Sequence, residues 1–558
     1  MGVNCGRVGV VVLYLLFLIQ GYVTADEPRE PFWIFLTDKA NGQNARVIWQ
    51  ASSFLHNDDE LDLPVDPAYI ARIEAAGLKL RTHSRWLNAI SVEATSQERD
   101  WLAEQTFVRD IRPVMKFRRT PVPVPDVAIA QKAIVQEDYG LAFEQLAQIE
   151  VVPLHNMGYR GEGVRIGLLD SGFDYSGHTA FGNMRLVAER DFVNGDDVVS
   201  NQDGQVVTGD ESTSDQNSHG TQVLSLLAGY DPGRFIGAAP NAEYILAKTE
   251  DIAQEVQIEE DRWVAGLEWV VAMGAQVVNS SLGYNIWDDG SGYTFADLDG
   301  QTALTSQAAA LAVRRGVVVV VAAGNEGDND WRYVTVPADV DGVISVGAVA
   351  RAPQGANALP EIAAFSSRGP TADGRIKPDV VAPGGFVRVV SSAGDYVNNR
   401  GTSFAAPLIS GACALLLQIH PQWGPAEILA ALKETAVDLG DAGPDTTYGW
   451  GLVDALAASG QAVDTPEQTV AGAPFPNPAR TEVVHFPLDL VGQEAVALKV
   501  FDLAGNLVDE ILERRFAAGS GQELQWEFAQ RKNLANGLYF YHLQVGTKSH
   551  MGKIALVR

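Results

Sequence analysis

Val164-Arg-Ile-Gly-Leu-Leu-Asp-Ser-Gly172 is the stretch on which the architecture turns. Val164–Leu169 is apolar without alternation, so the strand it predicts is buried on both faces, as strands of a parallel sheet are. It runs into an acid, and Ser171-Gly172 then breaks the run. Working outward, Ala242–Ala247, Gln276–Asn279, Val317–Ala323 and Val343–Val349 are short runs of the same kind, rich in β-branched residues. Asp261–Met273, Thr302–Arg315 and Ser403–Gln418 lie among them with helical apolar spacing, and Val223–Ala228 belongs to a further apolar helix. Strands alternating with helices predict a doubly wound, mostly parallel α/β domain over residues 137–460.

Open sheets of this class present functional groups at the carboxyl ends of their strands. Asp170 stands at such an end. Ser218-His219-Gly220-Thr221 opens the apolar helix, so the imidazole is held at its rigid start. In Gly401-Thr-Ser403-Phe-Ala-Ala-Pro407 the serine opens a helix, where backbone N–H groups and the helix dipole favour a developing oxyanion. Ala323-Gly324-Asn325-Glu-Gly327 closes the strand Val317–Ala323, and the Asn325 amide is a second candidate donor. Taken singly, each has an ordinary reading: a turn acid, a structural histidine, an N-cap serine, a turn asparagine. Together they place an acid, a base, a nucleophile and an oxyanion donor at strand ends or helix starts of one sheet.

The motifs Asp170-Ser-Gly, His219-Gly-Thr, Ala323-Gly-Asn-Glu-Gly and Gly401-Thr-Ser-Phe-Ala-Ala-Pro resemble, in order and spacing, those of the subtilisin-like serine proteases, the subtilases. The resemblance covers roughly residues 137–460. It implies acyl transfer. His219 takes the Ser403 proton, Asp170 orients the imidazole, and Asn325 with the Ser403 N–H holds the oxyanion. It also implies that Ser281-Leu282-Gly283 pairs with substrate backbone, that Ala323 and Gly324 line the site, and that Tyr448-Gly-Trp-Gly-Leu-Val-Asp454 is the closing structural motif. The wall residues near Ser281–Gly283 and Ala323–Gly327 are mostly small, which permits large or apolar side chains before the scissile bond. No catalytic cofactor is implied; subtilases often hold structural Ca²⁺, but a merely solvated acidic loop is the favoured reading here. The candidate Ca²⁺ sites are the acidic loop with Asp196, Asp197, Asp203, Asp210, Glu211 and Asp215, and the segment Asp297-Leu-Asp299-Gly300, although neither completes an EF-hand. Asp174 and His178 read as loop residues. The 9 histidines form no His-Glu-x-x-His, and there is no Gly-x-Ser-x-Gly, so metalloprotease and lipase-type chemistries are disfavoured. A silent fold used as a binding module is the competing class, and the presence of all four catalytic residues argues against it.

Residues 26–120 read strand, helix, strand, strand, helix, strand. Phe32–Thr37, Leu78–Arg81, Ala89–Glu93 and Phe107–Val114 are the strands, Pro67–Ala76 is the first helix, and Ser96 is the expected N-cap of the second. That order predicts a ferredoxin-like α+β domain. It resembles the inhibitory propeptide of subtilases, also through Trp86-Leu-Asn-Ala-Ile-Ser-Val-Glu93. The resemblance implies an intramolecular inhibitor and folding aid, removed by cleavage within residues 117–140; residues 121–136 form the linker. Residues 461–473 read as a second linker. Residues 474–558 carry strand-like runs with turn signals at Ala504-Gly-Asn506 and Asn536-Gly537, predicting a β-sandwich. Phe475-Pro-Asn-Pro-Ala479, Val500-Phe-Asp-Leu-Ala-Gly505, Asn536-Gly-Leu-Tyr-Phe540 and Ile554-Ala-Leu-Val-Arg558 resemble bacterial sorting and hook-capping Ig-like modules, which implies export across an outer membrane with a type IX-like bacterial secretion machinery as partner; a carbohydrate- or protein-binding accessory domain is the competing reading.

At the start, Arg7, the apolar run Val8–Ile19 and Val23-Thr-Ala25 form a signal-peptide pattern over residues 1–25, so secretion is expected. No later apolar run is read as membrane-spanning. With 41 basic and 70 acidic residues the chain carries a net charge of −29, which disfavours nucleic acid as a partner. Protein or peptide substrates are the expected partners, and a monomer the expected state. Of the 2 cysteines, Cys5 precedes the expected cleavage and Cys413 lies in an apolar stretch, so no disulfide framework is expected and Cys413 reads as a packing residue.

Overall fold

In the computed structural model the Val164 run becomes the strand Arg165–Asp170, set inside a seven-stranded sheet. The structure describes residues 29–39, 63–114, 139–202, 205, 216–251, 258–285, 292–350, 359–461, 469–479, 483–516, 519–528 and 534–557. Across the sheet the strands are Val380–Pro383, Ile344–Val349, Val318–Ala322, Val277–Ser280, Arg165–Asp170, Glu243–Lys248 and Arg185–Asp191. Every neighbouring pair is parallel. The chain lays down Arg165–Asp170, builds two strands on one side of it, then crosses to build the other four. The crossing makes Arg165–Asp170 and Val277–Ser280 the switch point, whose carboxyl ends leave an open crevice.

Helices cover both faces, as the unbroken apolar runs require. Ile166 and Leu168 pack with Leu224 and Leu227 of the helix Ser218–Ala228 and with Leu408 and Ile409 of the helix Thr402–Ile419. Leu169 points the other way, into a cluster with Trp263, Val264 and Leu267 of the helix Ile258–Ala272 and with Ala308 and Ala312 of the helix Leu304–Arg314. This is the two-residue alternation of a pleated strand buried on both sides. The helix Thr402–Ile419 is long and apolar enough to cross a membrane, but 89% of it is buried, which makes it the core helix of the domain. Cys413 lies inside it with its thiol pushed up by burial, as a packing cysteine should be.

Two strands of this sheet escape a sequence reading. Arg185–Asp191 is an edge strand with four charged side chains on a largely exposed ribbon, so it lacks the buried-strand signature. Val380–Pro383 has four residues and ends in proline.

The N-terminal sheet is antiparallel, in the order Lys79–Ser84, Ala89–Ala94, Glu30–Leu36, Val108–Pro113. With the helices Pro67–Ala75 and Ser96–Ala103 this is the ferredoxin-like arrangement. One expectation needs correction. Thr95, not Ser96, caps the second helix: its side chain accepts from the Glu98 N–H at 3.2 Å while Glu98 accepts from the Thr95 N–H at 2.9 Å. That reciprocal pair satisfies two otherwise orphan donors, which a serine one residue further on would not. Phe32, Ile34 and Leu36 face the domain's own helices through Ile73 and Leu102. Trp33 and Phe35 face the other way, into the cluster of the large domain.

At the C-terminus a three-stranded sheet (Val470–Ala471, Val483–Leu490, Gly519–Glu527) and a four-stranded sheet (Leu507–Phe516, Glu494–Phe501, Gly537–Val545, Lys548–Leu556) share one core. Phe486 and Trp526 of the first sheet meet Leu498 and Leu543 of the second. This is the expected sandwich.

Candidate active site

Asp170 ends its strand with no solvent exposure. Its Oδ1 accepts from the Ser171 N–H at 2.8 Å and meets His219 Nδ1 at 2.6 Å. An ionised carboxylate only accepts, so Nδ1 carries the proton and Nε2 of the neutral ring is the acceptor. Glycine makes the approach of strand and helix close enough. A Cβ on Gly220, next to His219, would lie 2.1 Å from the Gly172 carbonyl oxygen and 3.2 Å from the Asp170 Cβ.

Ser403 lies in the first turn of the helix Thr402–Ile419, with Gly401 rather than a serine at the cap. Its N–H belongs to the first four of the helix, which have no intrahelical acceptor. Ser403 is tied to Ser281 both ways: its Oγ donates to the Ser281 carbonyl at 3.0 Å, and Ser281 Oγ donates to the Ser403 carbonyl at 2.7 Å. A hydroxyl has one proton, so turning Ser403 Oγ to an imidazole acceptor exchanges the first of these bonds for another. Hydrogen bonds of this kind commonly tighten only when substrate is bound. The neighbouring Phe404 ring lies 5.7 Å from the His219 ring, centroid to centroid.

Asn325 is oriented by Thr402. Its Oδ1 accepts from the Thr402 N–H at 2.9 Å and from Thr402 Oγ at 3.1 Å. With the oxygen so engaged, the amide turns its N–H₂ to the other side. Thr402 also accepts from the Gly324 N–H at 3.2 Å. Sequence reasoning passed over this threonine, although its place between Gly401 and Ser403 is the signal that could have found it. It missed a second chain as well: Ser410 donates to Asn279 Oδ1 at 2.8 Å, and Asn279 donates to Ser281 Oγ at 3.1 Å. Ser410 lies seven residues after Ser403, on the same helix face, so this buried relay pins the serine helix to the strand Val277–Ser280.

Residues 161–451 match the subtilase family model, more than half of the chain. The chain belongs to the subtilase family. Subtilisin E of Bacillus subtilis (strain 168) is 32% identical over 60% of this chain and 76% of that protein. Subtilisin of Bacillus pumilus is 32% identical over 56% of this chain and 97% of its own. Subtilisin Savinase of Lederbergia lenta shows 32% identity over 56% and 97%. This subtilase is therefore a serine endopeptidase, a hydrolase with a subtilisin-like fold. Residues 31–124 match the Bacteroidota peptidase S8 propeptide domain, and residues 473–557 match a secretion-system C-terminal sorting domain, which implies export.

In this subtilase the propeptide sheet sits on the helix Ile258–Ala272. Trp33, Phe35, Trp86 and Leu87 share a cluster with Trp263 and Leu267. Two acids of that helix hold the polar contacts. Glu268 accepts from Ser84 Oγ, from the Arg85 N–H at 3.3 Å and from the Trp86 N–H at 3.4 Å. Asp261 pairs with Arg81 at 3.0 Å, their side chains 1% and 5% exposed, and accepts from Ser91 at 2.6 Å. Burial pushes the Asp261 carboxyl up to about 6 against the pull of Arg81. Removing one partner of such a pair strands the other charge, at about 3–5 kcal/mol. Arg81→Leu is therefore expected to lower the denaturant midpoint for undocking of the still-attached propeptide in a precursor that also carries Ser403→Ala. Adding Asp261→Leu should restore most of the loss, which a purely steric effect at Arg81 would not allow.

Subtilisins need no catalytic cofactor. Among the described residues no group of three or more His, Cys, Asp or Glu is placed to hold a metal. Asp203, Asp210, Glu211 and Asp215 lie outside the described residues. Asp196 accepts from the Val198 N–H at 2.9 Å and from Gln205 at 3.0 Å. Asp299 accepts from the N–H groups of Gln301 and Thr302 at 2.8 and 2.7 Å, and Asp297 caps Thr294. Asp174 and His178 stand apart from the Asp170–His219 pair. The Asp174 N–H donates to Thr221 Oγ at 2.7 Å, and His178 packs on Phe181.

Proposed function

We propose that the chain is a secreted, self-processing zymogen that hydrolyses peptide bonds through Asp170, His219 and Ser403 and an acyl-enzyme intermediate. The observation that carries this reading is the 2.6 Å bond from His219 Nδ1 to a fully buried Asp170, which leaves Nε2 as the basic nitrogen. Nε2 takes the proton of Ser403 Oγ as it attacks the substrate carbonyl. The imidazolium then protonates the leaving amine, and water repeats the cycle on the acyl-enzyme. The Asn325 amide and the Ser403 N–H receive the oxyanion. Ser281, Leu282 and Gly283 pair with the acyl side of the substrate as an added strand, with Ala323 and Gly324 beside them. Residues 1–25 direct export, residues 26–120 block the cleft until cleavage within residues 117–140, and residues 474–558 engage the secretion machinery. The linkers are residues 121–136 and 461–473, the catalytic domain is residues 137–460, and the enzyme acts as a monomer. The acidic loop and the segment Asp297-Leu-Asp299-Gly300 are the candidate sites for structural Ca²⁺.

Fluorophosphonate labelling tests the reading directly. Ser403 is expected to carry the label, and N-terminal sequencing of the active enzyme should begin within residues 117–140. Labelling at another serine, or an active enzyme beginning near residue 26, overturns it.

Asn325→Ala removes a donor that acts only once the carbonyl carbon turns tetrahedral. It is expected to lower kcat by about 10²–10³ with little change in KM, the range established for the equivalent donor of a subtilisin. A raised KM with unchanged kcat would point to substrate binding instead.

A further inference from the structure

The carboxyl ends of Val277–Ser280 and Val318–Ala322 run on as Ser281-Leu-Gly283 and Ala323-Gly324. On the proposed roles of Ser403 and Asn325, a substrate carbonyl held between them directs its own side chain toward the gap between these two segments. Both walls carry glycine there, which from the sequence alone leaves room for a large group. The structure fills that room from below. Thr335 is stitched beneath the slot: its N–H donates to the Ala323 carbonyl at 3.0 Å, and the next residue, Val336, exchanges backbone bonds with Tyr284 at 2.9 and 3.0 Å. A Cβ on Gly283 would lie 2.1 Å from Thr335 Oγ, and a Cβ on Gly324 would lie 2.9 Å from its methyl and 3.1 Å from its Oγ. The two glycines thus make room for this threonine. Thr335 is 2% exposed, and its hydroxyl has no hydrogen-bond partner among the described residues. An unsatisfied buried hydroxyl is costly unless something enters to pair with it.

We propose that Thr335 closes the floor of the pocket for the residue preceding the scissile bond. The enzyme then selects small side chains there, alanine and serine, with a serine hydroxyl able to pair with Thr335 Oγ. This rests on the reading of Ser403 and Asn325 as nucleophile and oxyanion donor. It reverses the expectation that small wall residues admit large groups. Each surplus methylene in a closed apolar pocket costs about 10- to 200-fold in kcat/KM, and an aromatic ring exceeds the pocket by several carbons.

The test uses mature enzyme, titrated with a fluorophosphonate, on peptides that differ only in the residue before the cleaved bond: alanine, serine, leucine or phenylalanine. Wild type is expected to favour alanine and serine over phenylalanine by about 100-fold or more in kcat/KM. Thr335→Gly is expected to raise the phenylalanine value relative to the alanine value about 10- to 100-fold. Thr335→Ser, which removes only the methyl, serves if the glycine variant fails to fold, and should raise leucine more than alanine. Wild-type cleavage after phenylalanine within tenfold of alanine overturns the proposal, as does an unchanged profile in both variants. Absence of label on Ser403 would instead overturn the active-site reading, and this inference with it.

Discussion

Ser403→Ala is expected to lower kcat for peptide hydrolysis by about a million-fold and to leave the purified precursor uncut. Subtilisin, a relative of this chain, is the case in which that magnitude was established. The hydroxyl is the only group that changes, and the structure shows how little else depends on it. Its one bond runs to the Ser281 carbonyl, whereas the stronger tie, Ser281 Oγ to the Ser403 carbonyl at 2.7 Å, survives. The helix keeps its start at Gly401 and its link through Ser410 and Asn279. The variant should therefore fold, keep its propeptide docked and show a melting temperature close to that of wild type. Rates on a peptide substrate and gel analysis of the purified precursor check both halves. Processing at the wild-type rate in the purified variant would mean that another protease, or another nucleophile, makes the cut.

The second large effect is expected for Asp170→Asn: a loss of about 10⁴ in kcat with KM within a few-fold of wild type. The size follows from charge. A carboxylate 2.6 Å from the imidazole stabilises the imidazolium by about 6 kcal/mol at an effective dielectric of about 20. A 10⁴-fold loss corresponds to about 5.4 kcal/mol. The amide is nearly isosteric and still fills the buried site, so packing is not what is lost. A drop of less than tenfold would show that Asp170 orients the ring without stabilising its charge.

Much of the fold was legible because burial on two faces leaves a plain trace. Phe32-Trp-Ile-Phe-Leu36 shows how far that trace reaches. An antiparallel strand commonly wets one face, yet this one is apolar throughout, and both faces are covered, one by its own helices and one by the large domain. The edge strand Arg185–Asp191 was illegible for the converse reason: exposure lets charge replace the apolar pattern. The N-cap was misplaced by one residue because threonine and serine are adjacent and both able caps, and only the Glu98 contact distinguishes them.

What the polymer determined by itself was the set of local pieces: apolar runs that must be buried, glycines where backbones cross, and Asp170, His219, Asn325 and Ser403 each set beside a turn or a helix start. Those are short-range matters of side-chain chemistry and backbone freedom. Tertiary structure alone decided which distant groups meet. It placed Asp261 under Arg81 and tied Thr402 to Asn325. It also set Thr335 in the gap between two glycines that lie 41 positions apart in the chain. The shape of a pocket depends on the atom that fills it, and that atom comes from a segment whose own sequence carries no sign of the gap it will occupy.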